Sequence, residues 1–401
     1  MLRVLGFTTA GESHGRGMIV ILEGLPSGLR LRSEDVSREL LRRQLGHGRG
    51  GRMRIERDLG EIMSGVRHGE TMGSPITVLI PNRDYENWRV AMAVDPVAGA
   101  AEEVLRRVGA PRPGHADLVG MLKYEREDAR DILERSSARE TAARVAAGSL
   151  AKRLLAEFGI EIGSHVVRIG PVEAAAGLRQ GDVAGVNERS DASPVRCLEP
   201  AASEAMVQAI DDAAADGDTL GGVFEVVASG LPVGLGSHVS WEERLDGRLA
   251  AALMSIQAMK GVEVGAGFAA ARSRGSAVHD EIETDPSRLA AGGFRRRSNN
   301  AGGLEGGITT GEMLVIRTAM KPLSTLGSPL RTVDLRTGAP ARAVRERSDV
   351  CAVPAAAVVG EAMVALVLAD AMRQKFGGDS LGQMRDAYDS YLERLTERRP
   401  G

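Results

Sequence analysis

The sequence predicts an α+β chain in which long buried helices are covered by sheets, built as two related halves. Three observations predict it. Gly11-Glu12-Ser13-His14-Gly15, followed by Gly24-Leu25-Pro26-Ser27-Gly28-Leu29, is echoed by Gly217-Asp218-Thr219-Leu220-Gly221 and Gly230-Leu231-Pro232-Val233-Gly234-Leu235, every position offset by 206. Residues 353–375 are apolar on nearly every helical face, which requires burial on all sides. The runs 18–22 and 223–227, one in each copy of the echo, are apolar and short enough for strands.

The elements follow in order. After the first strand, Ser33, Glu34 and Asp35 open an amphipathic helix with Val36, Leu40 and Leu41 on one side, ending near Gly46. Ser137 and Glu140 make a capping-box pattern before an alanine-rich helix that stops at Phe158-Gly159. Residues 160–169 and 313–318 read as further strands, and 246–260, closed by Gly261, as another helix. Pro354 suits the first turn of the apolar helix. No linker or low-complexity segment divides the chain, so the halves, about 1–200 and 205–401, are expected to form one domain over 1–401.

A chain of 401 residues can bury a large core without disulfides or metals. With 43% apolar and 26% charged residues it is neither disordered nor collagen-like, and aromatics at 3% leave the core to aliphatic side chains. The 50 glycines imply many tight turns. Lysine occurs only at 123, 152, 260, 321 and 375, so the basic residues are overwhelmingly arginine, whose planar forks suit phosphate and carboxylate. A net charge of −3 favours a local anion site over a nucleic-acid groove, and the few aromatics argue against an RNA-binding module. Cys197 and Cys351 form no disulfide framework or metal-ligand spacing. Residues 1–9 lack a signal-peptide layout, and Glu361 and Asp370 interrupt the one long apolar stretch, so a cytoplasmic location is expected.

Three motifs fail on context. Gly11 to Gly15 matches the G-x-S-x-G elbow of a serine hydrolase using Ser13, but the segment that follows reads as a strand, not a helix. Gly46, Gly48 and Gly51 fit G-x-G-x-x-G, yet a helix precedes them where a dinucleotide fold needs a strand. Ser149 and Lys152 give an S-x-x-K inside an alanine-rich helix, with no further support.

Five segments combine small residues with cations, histidine or hydroxyls. They are 46–57, with Arg49, Arg52, Arg54 and Arg57 after Arg42 and Arg43; Arg112-Pro113-Gly114-His115-Ala116-Asp117; Arg135-Ser136-Ser137-Ala138-Arg139-Glu140; 298–325, with Asn299, Asn300, Gly302, Gly303, Gly306 and Gly307 before Lys321-Pro322-Leu323-Ser324-Thr325; and Arg347-Ser348-Asp349. Several cations, two loop histidines and a helix N-terminus suit a polyanionic substrate or a phosphorylated cofactor. His47, His68, His165, His238 and His279 are read as structural, Arg295 to Arg297 as a solvated run, and Asp349 either as a site residue or as a helix cap. In the echo His14 is matched by Leu220, so the turn itself does not require the histidine.

Gly11 to Gly15, Arg112 to Asp117, Arg135 to Thr141, Asn299 to Gly307, Lys321 to Thr325 and Arg347 to Ala355 resemble, in order, the signatures of the chorismate synthase family. The resemblance implies a β-α-β sandwich of mostly antiparallel sheets, assembled as a homotetramer. It implies conversion of 5-enolpyruvylshikimate 3-phosphate to chorismate and phosphate, the last step of the shikimate pathway. That reaction is a 1,4-anti elimination that needs reduced FMN without net redox. Carried over by position, His14 would give a proton to the leaving phosphate, His115 would protonate the flavin, and Asp349 would assist removal of the C6 proton. Ser13 and Ser137 would relay protons. Flavin contacts would come from Arg135, Ser136, Ser137, Gln257, Ala258, Gly306, Lys321, Pro322, Leu323, Ser324, Thr325 and Arg347. Arg43 and Arg49 match arginines assigned in the family to NADPH, a ligand expected only of a bifunctional member; Arg49, with Arg139, would otherwise bind substrate. No metal is implied.

Overall fold

Helices and antiparallel sheets alternate along a computed structural model that describes residues 2–50, 58–99, 101–175, 178, 185–346 and 348–397. It opens with the hairpin β1 (Gly6–Ala10) and β2 (Gly17–Glu23). After α1 (Ser33–Gln44) come β3 (Glu61–Ile62), the ribbon β4 (Val66–Arg67) and β5 (Glu70–Thr71), and β6 (Ile76–Pro81). Short helices α2 (Glu102–Leu105), α3 (Asp117–Tyr124) and α4 (Arg130–Ser136) lead into α5 (Thr141–Ala156). Next are β7 (Glu161–Ile169), β8 (Val172–Glu173), α6 (Val186–Asp191), α7 (Pro200–Ala215) and β9 (Gly222–Ser229). α8 (Leu245–Met254), β10 (Met259–Val264) and α9 (Gly275–Val278) precede the ribbons β11 (Ile282–Thr284) with β12 (Phe294–Arg296) and β13 (Leu304–Glu305) with β14 (Ile308–Thr309). β15 (Leu314–Met320), the ribbon β16 (Arg331–Val333) and β17 (Pro340–Arg342), α10 (Val353–Phe376) and α11 (Leu381–Glu397) follow.

One sheet has the order β1-β2-β6-β3 and the other β10-β15-β9-β7-β8, with antiparallel neighbours in both. In β2 the period-two pattern puts Met18, Val20 and Leu22 inside and leaves Ile19 and Ile21 partly exposed. α5 packs on β2 and β6, and α10 packs on α5, β7 and β9. Small residues permit this closeness: a Cβ at Gly360 would meet Phe224 Cε2 at 2.5 Å, and one at Gly148 would meet Ala362 Cβ at 2.3 Å. α10 is the one helix among the described residues long and apolar enough to cross a membrane, and the window that passes that test is entirely buried within the fold.

Two charges inside α10 are compensated. Glu361 receives Arg42 at 2.9 and 3.0 Å, Lys152 at 2.5 Å, Arg196 at 3.1 Å and the Ser164 hydroxyl at 2.5 Å. Asp370 accepts the backbone N–H groups of Arg3, Val4 and Leu5 and pairs with Arg248, which ties the first strand to the core.

The two echoed turns carry the same hydrogen bonds. Gly28 N–H donates to Thr71 O and Leu29 N–H to Thr71 Oγ1, whose hydroxyl donates to Pro26 O. Gly234 N–H donates to Thr309 O and Leu235 N–H to Thr309 Oγ1, whose hydroxyl donates to Pro232 O.

Three expectations need correction. The helix expected over 246–260 stops at Met254, and Met259–Val264 instead forms β10 on the edge of β15; between them Ala258 adopts φ +69°, which no helix continues through. Leu41 does not share the buried side of α1 with Val36 and Leu40 but is half exposed. Ser137 caps a 3₁₀ turn over Ala138–Glu140, accepting from Arg139 N–H, and the capping box with Glu140 does not close. The Glu140 carboxylate is taken by Arg144, Gln257 and Thr9.

Candidate active site

Loops from both sheets meet over the first turns of α5 and α10, around a cavity of about 560 Å³. The β1–β2 turn supplies Ser13 and His14; the following element is the strand β2, so the geometry of a hydrolase elbow is absent from this turn. The loop before α3 supplies His115, and the α4–α5 junction supplies Ser136, Ser137 and Arg139. The α8–β10 corner brings Gln257 and Ala258, the segment after β15 brings residues 321–325, and the segment before α10 brings Asp349.

Each histidine is held by a carboxylate. His14 Nδ1 lies 2.8 Å from Glu134 Oε1, and the His14 backbone N–H donates to Glu134 Oε2 at 2.7 Å. The ring stacks on Trp88 with centroids 3.6 Å apart. His115 Nδ1 lies 2.6 Å from Asp117 Oδ1, and Arg112 donates to the same carboxylate at 2.9 and 3.1 Å. Burial opposes ionisation of both acids. Hydrogen bonds from His115 and Arg112 nevertheless hold Asp117 well below the usual carboxylate range, and those from His14, then Arg130, lower Glu134. Ser137 Oγ donates to Ser13 Oγ at 3.1 Å, so the two serines are linked.

The cavity lining is also rich in cations. Arg43 on α1 and Arg139 share Asp58, at 2.7 and 3.0 Å, so one carboxylate serves two buried guanidiniums. Burial, with Arg49 and Arg139 close by, pushes Arg43 below its ordinary value, and its Nε has no hydrogen-bond partner among the described residues. An added anion would relieve that excess of positive charge. Asp349 does not cap α10, whose N-cap is Ala352; it pairs with Arg49 at 2.8 Å and accepts the Gly50 N–H at 2.7 Å.

The segment 321–325 is pinned from several sides. Lys321 N–H donates to Ala258 O and Lys321 Nζ to Gly114 O. Thr219 Oγ1 donates to Leu323 O at 2.8 Å, and Arg112 Nη1 to Thr325 Oγ1 at 2.9 Å. The echo of the His14 turn thus braces the loop facing it, while Leu220 N–H holds Val350 O beside Asp349.

Of the residues singled out in the sequence, Ser13, His14, Arg43, Arg49, His115, Ser136, Ser137, Arg139, Gln257, Ala258, Lys321, Pro322, Leu323, Ser324, Thr325 and Asp349 all line this cavity. Arg135 and Gly306 do not. Arg135 is turned to Thr9 O and Gly11 O, and Gly306 sits in the β13–β14 turn beside His238. Arg347, Arg52, Arg54 and Arg57 lie outside the described residues. His47 pairs with Asp211 and His165 with Glu225, away from the cavity. Sequence reasoning missed Glu134, Asp58 and Trp88; Glu134 directly precedes the Arg135-Ser136-Ser137 motif, the one local signal that could have drawn attention to it.

A family model described as chorismate synthase matches residues 5–373. A chorismate synthase of Geobacter sulfurreducens is 57% identical over 393 residues, covering 97% of this chain and 99% of the relative. One of Symbiobacterium thermophilum is 56% identical over 399 residues, 98% and 100% of the two chains. A solved structure titled "Crystal Structure of Chorismate Synthase" superposes with a TM-score of 0.79 at 43% identity, covering 99% of this chain and 100% of the other.

Proposed function

Because the chain belongs to the chorismate synthase family, we propose that its cavity carries out the 1,4-anti elimination of phosphate from 5-enolpyruvylshikimate 3-phosphate, with reduced FMN bound beside the substrate. The enzyme is a lyase. One observation carries the reading: two carboxylate-held histidines, the Arg43–Asp58–Arg139 cluster and Asp349 all face one cavity.

The substrate carries two carboxylates and a phosphate, and the arginine wall offsets that charge. Arg139 and Arg49 would take substrate anions, with Arg43 behind them. His14 gives a proton from Nε2 to the leaving phosphate, its Nδ1 being committed to Glu134. His115 would hold a proton for the flavin, and Asp349 would take part in removing the C6 proton. The hydrogen-bonded Ser13 and Ser137 support a relay between these groups.

The residues present fit a flavin. Ile256, Met320, Ala352, Ala355 and Val359 give apolar walls for a planar ring, and Gln257 Oε1 is buried without a hydrogen-bond partner among the described residues. Ser136, Ser137, Gln257, Ala258 and residues 321–325 would hold it, together with Arg347; Arg135 and Gly306, which lie outside this cavity, would need another route to it. The chemistry that reduced FMN would supply there is electron density for the breaking C–O bond, with no net redox. We read the chain as monofunctional, using reduced flavin supplied to it in the cytoplasm rather than NADPH.

The two sheets with α5 and α10 between them support a β-α-β sandwich, and the matching Thr71 and Thr309 turns support a pseudo-repeat within a single domain. β7 pairs with β9 as β1 pairs with β2, which favours a boundary near residue 160 rather than 200. A homotetramer would cover exposed apolar side chains such as Trp241 and Phe268.

The test is anaerobic. Protein, 5-enolpyruvylshikimate 3-phosphate and dithionite-reduced FMN should yield chorismate and phosphate in equal amounts, and oxidised FMN should yield neither. Phosphate without chorismate would overturn the reading in favour of a phosphatase.

A further inference from the structure

We propose that Glu134 is the positioning residue for His14, fixing its tautomer and orientation; this rests on the reading of His14 as the proton donor. Both oxygens of Glu134 are engaged by one residue, Oε1 by the ring Nδ1 at 2.8 Å and Oε2 by the backbone N–H at 2.7 Å. The Glu134 backbone carbonyl accepts Ser13 N–H at 2.9 Å. Two consecutive site residues are therefore docked onto one residue of α4. The side chains are 3% and 12% exposed, so water competes little for the contact. Trp88 stacked on the ring closes one face and limits rotation about χ2.

The chemistry follows from valence. A carboxylate can only accept, so Nδ1 must carry the N–H and proton exchange with the cavity falls to Nε2. The same contact fixes the plane of the ring, as in other histidine–carboxylate pairs.

The second pair differs in a way that sharpens the assignment. Asp117 is already met by three Arg112 N–H groups, the backbone N–H at 3.1 Å and two from the guanidinium at 2.9 and 3.1 Å, so its charge is largely spoken for before His115 is counted. Glu134 has one longer contact from Arg130, at 3.3 Å, and that guanidinium also reaches Glu346 at 2.9 Å. More of the Glu134 charge is left for His14.

Glu134→Gln discriminates positioning from mere support. The amide oxygen can still accept the His14 backbone N–H, and the Glu134 carbonyl bond to Ser13 is untouched. The amide NH₂ then faces Nδ1, which must become the acceptor, and the ring proton moves to Nε2. In protein with ¹⁵N-labelled histidine rings, with His14 signals assigned by their absence in His14→Ala, Glu134→Gln should exchange the protonated and unprotonated nitrogen shifts. Its kcat should fall about 10²-fold or more, in the range of general acid catalysis, while KM moves little. Glu134→Asp, which keeps a carboxylate, should keep the Nδ1–H pattern and recover part of kcat. Unchanged ring shifts in Glu134→Gln would overturn the proposal. So would a Glu134→Asp protein as slow as Glu134→Gln, or, if the amide variant does not fold, an aspartate variant whose ring carries its proton on Nε2. Near-normal turnover by His14→Ala would sink the donor role of His14 instead, leaving the ring shifts to decide what Glu134 does.

Discussion

Gly148→Ala sets two effects against each other where α5 crosses α10. Helix propensity alone favours alanine over glycine in a helix interior by about 1 kcal/mol. The structure says otherwise: the new Cβ would lie 2.3 Å from Ala362 Cβ, 2.4 Å from its Cα and 2.8 Å from its carbonyl oxygen. None of these atoms can rotate aside. Carbon pairs prefer about 3.5–4.0 Å, so the helices must part by about 1 Å or more. A clash with backbone belongs at the upper end of overpacking costs, about 3 kcal/mol, which leaves a net loss of about 2 kcal/mol. The displacement also reaches the site, since Arg139 lies just before α5 and Asp349 just before α10. A shift of about 1 Å can lower turnover about 10²-fold. Urea unfolding followed by far-UV circular dichroism, with kcat on the same samples, measures both. Gly247→Ala in α8, where a Cβ meets nothing within 4 Å, is the control and should be neutral or stabilising. A Gly148→Ala protein as stable as the parent, or more so, would refute the packing argument.

Three further outcomes are expected. Glu361→Gln leaves Arg42, Lys152 and Arg196 around a neutral amide and should cost about 3–5 kcal/mol in urea unfolding; a loss under about 1 kcal/mol would mean that Glu39, which pairs with Arg42 and Lys152, and Asp191, which pairs with Arg42, suffice. Asp58, Asp117, Glu134 and Glu361 are each buried, yet their cationic partners hold them below the usual carboxylate range. The unfolded chain therefore takes up protons first on acidification. Their contribution is complete above about pH 5, and the urea midpoint should fall steadily as pH drops below about 4; a midpoint that rose on acidification would contradict the assignments. Finally, burial pushes the Cys351 thiol up to about 11, and the residue is 0% exposed. Iodoacetamide at pH 8 should leave it unmodified in native protein and label it in urea, and native labelling would show that the base of α10 opens.

Much of the architecture was legible because local pattern and burial agree in it. α10 declared itself through apolar residues on every face and Pro354 at its start, and β2, β7, β9 and β15 through runs of the right length. β10 was not legible, since 246–260 carries helical spacing throughout and nothing in the identity of Ala258 announces a left-handed backbone. The motifs brought most of the cavity lining together on the page, because glycine, arginine and histidine clusters are local. Their partners were hidden by distance along the chain: Glu134 stands 120 positions from His14, and Asp58, which also holds Arg43, stands 81 positions from Arg139. Such contacts exist only once α1, α4 and the β1–β2 turn have converged. Glu140 shows the converse, a correct local pattern lost to stronger partners in Arg144 and Gln257.

The position of α10 in the gene order of the elements has a consequence during synthesis. The inner faces of both sheets leave the ribosome before residue 353, and at about 5–20 residues per second the wait from the end of β9 at Ser229 to the end of the helix at Phe376 lasts roughly 7–30 s. Through that interval β7 and β9 have no α10 to cover them, and the nascent chain offers exposed apolar strands to chaperones or to other nascent chains. A message cut short before the codons of α10 would therefore yield no smaller enzyme, only a chain whose second sheet lacks its covering helix. Late emergence has a compensating benefit. With a mean hydropathy of 1.9, this helix could be taken for a membrane segment, but by the time it is translated its packing partners α5, β7 and β9 have all been made.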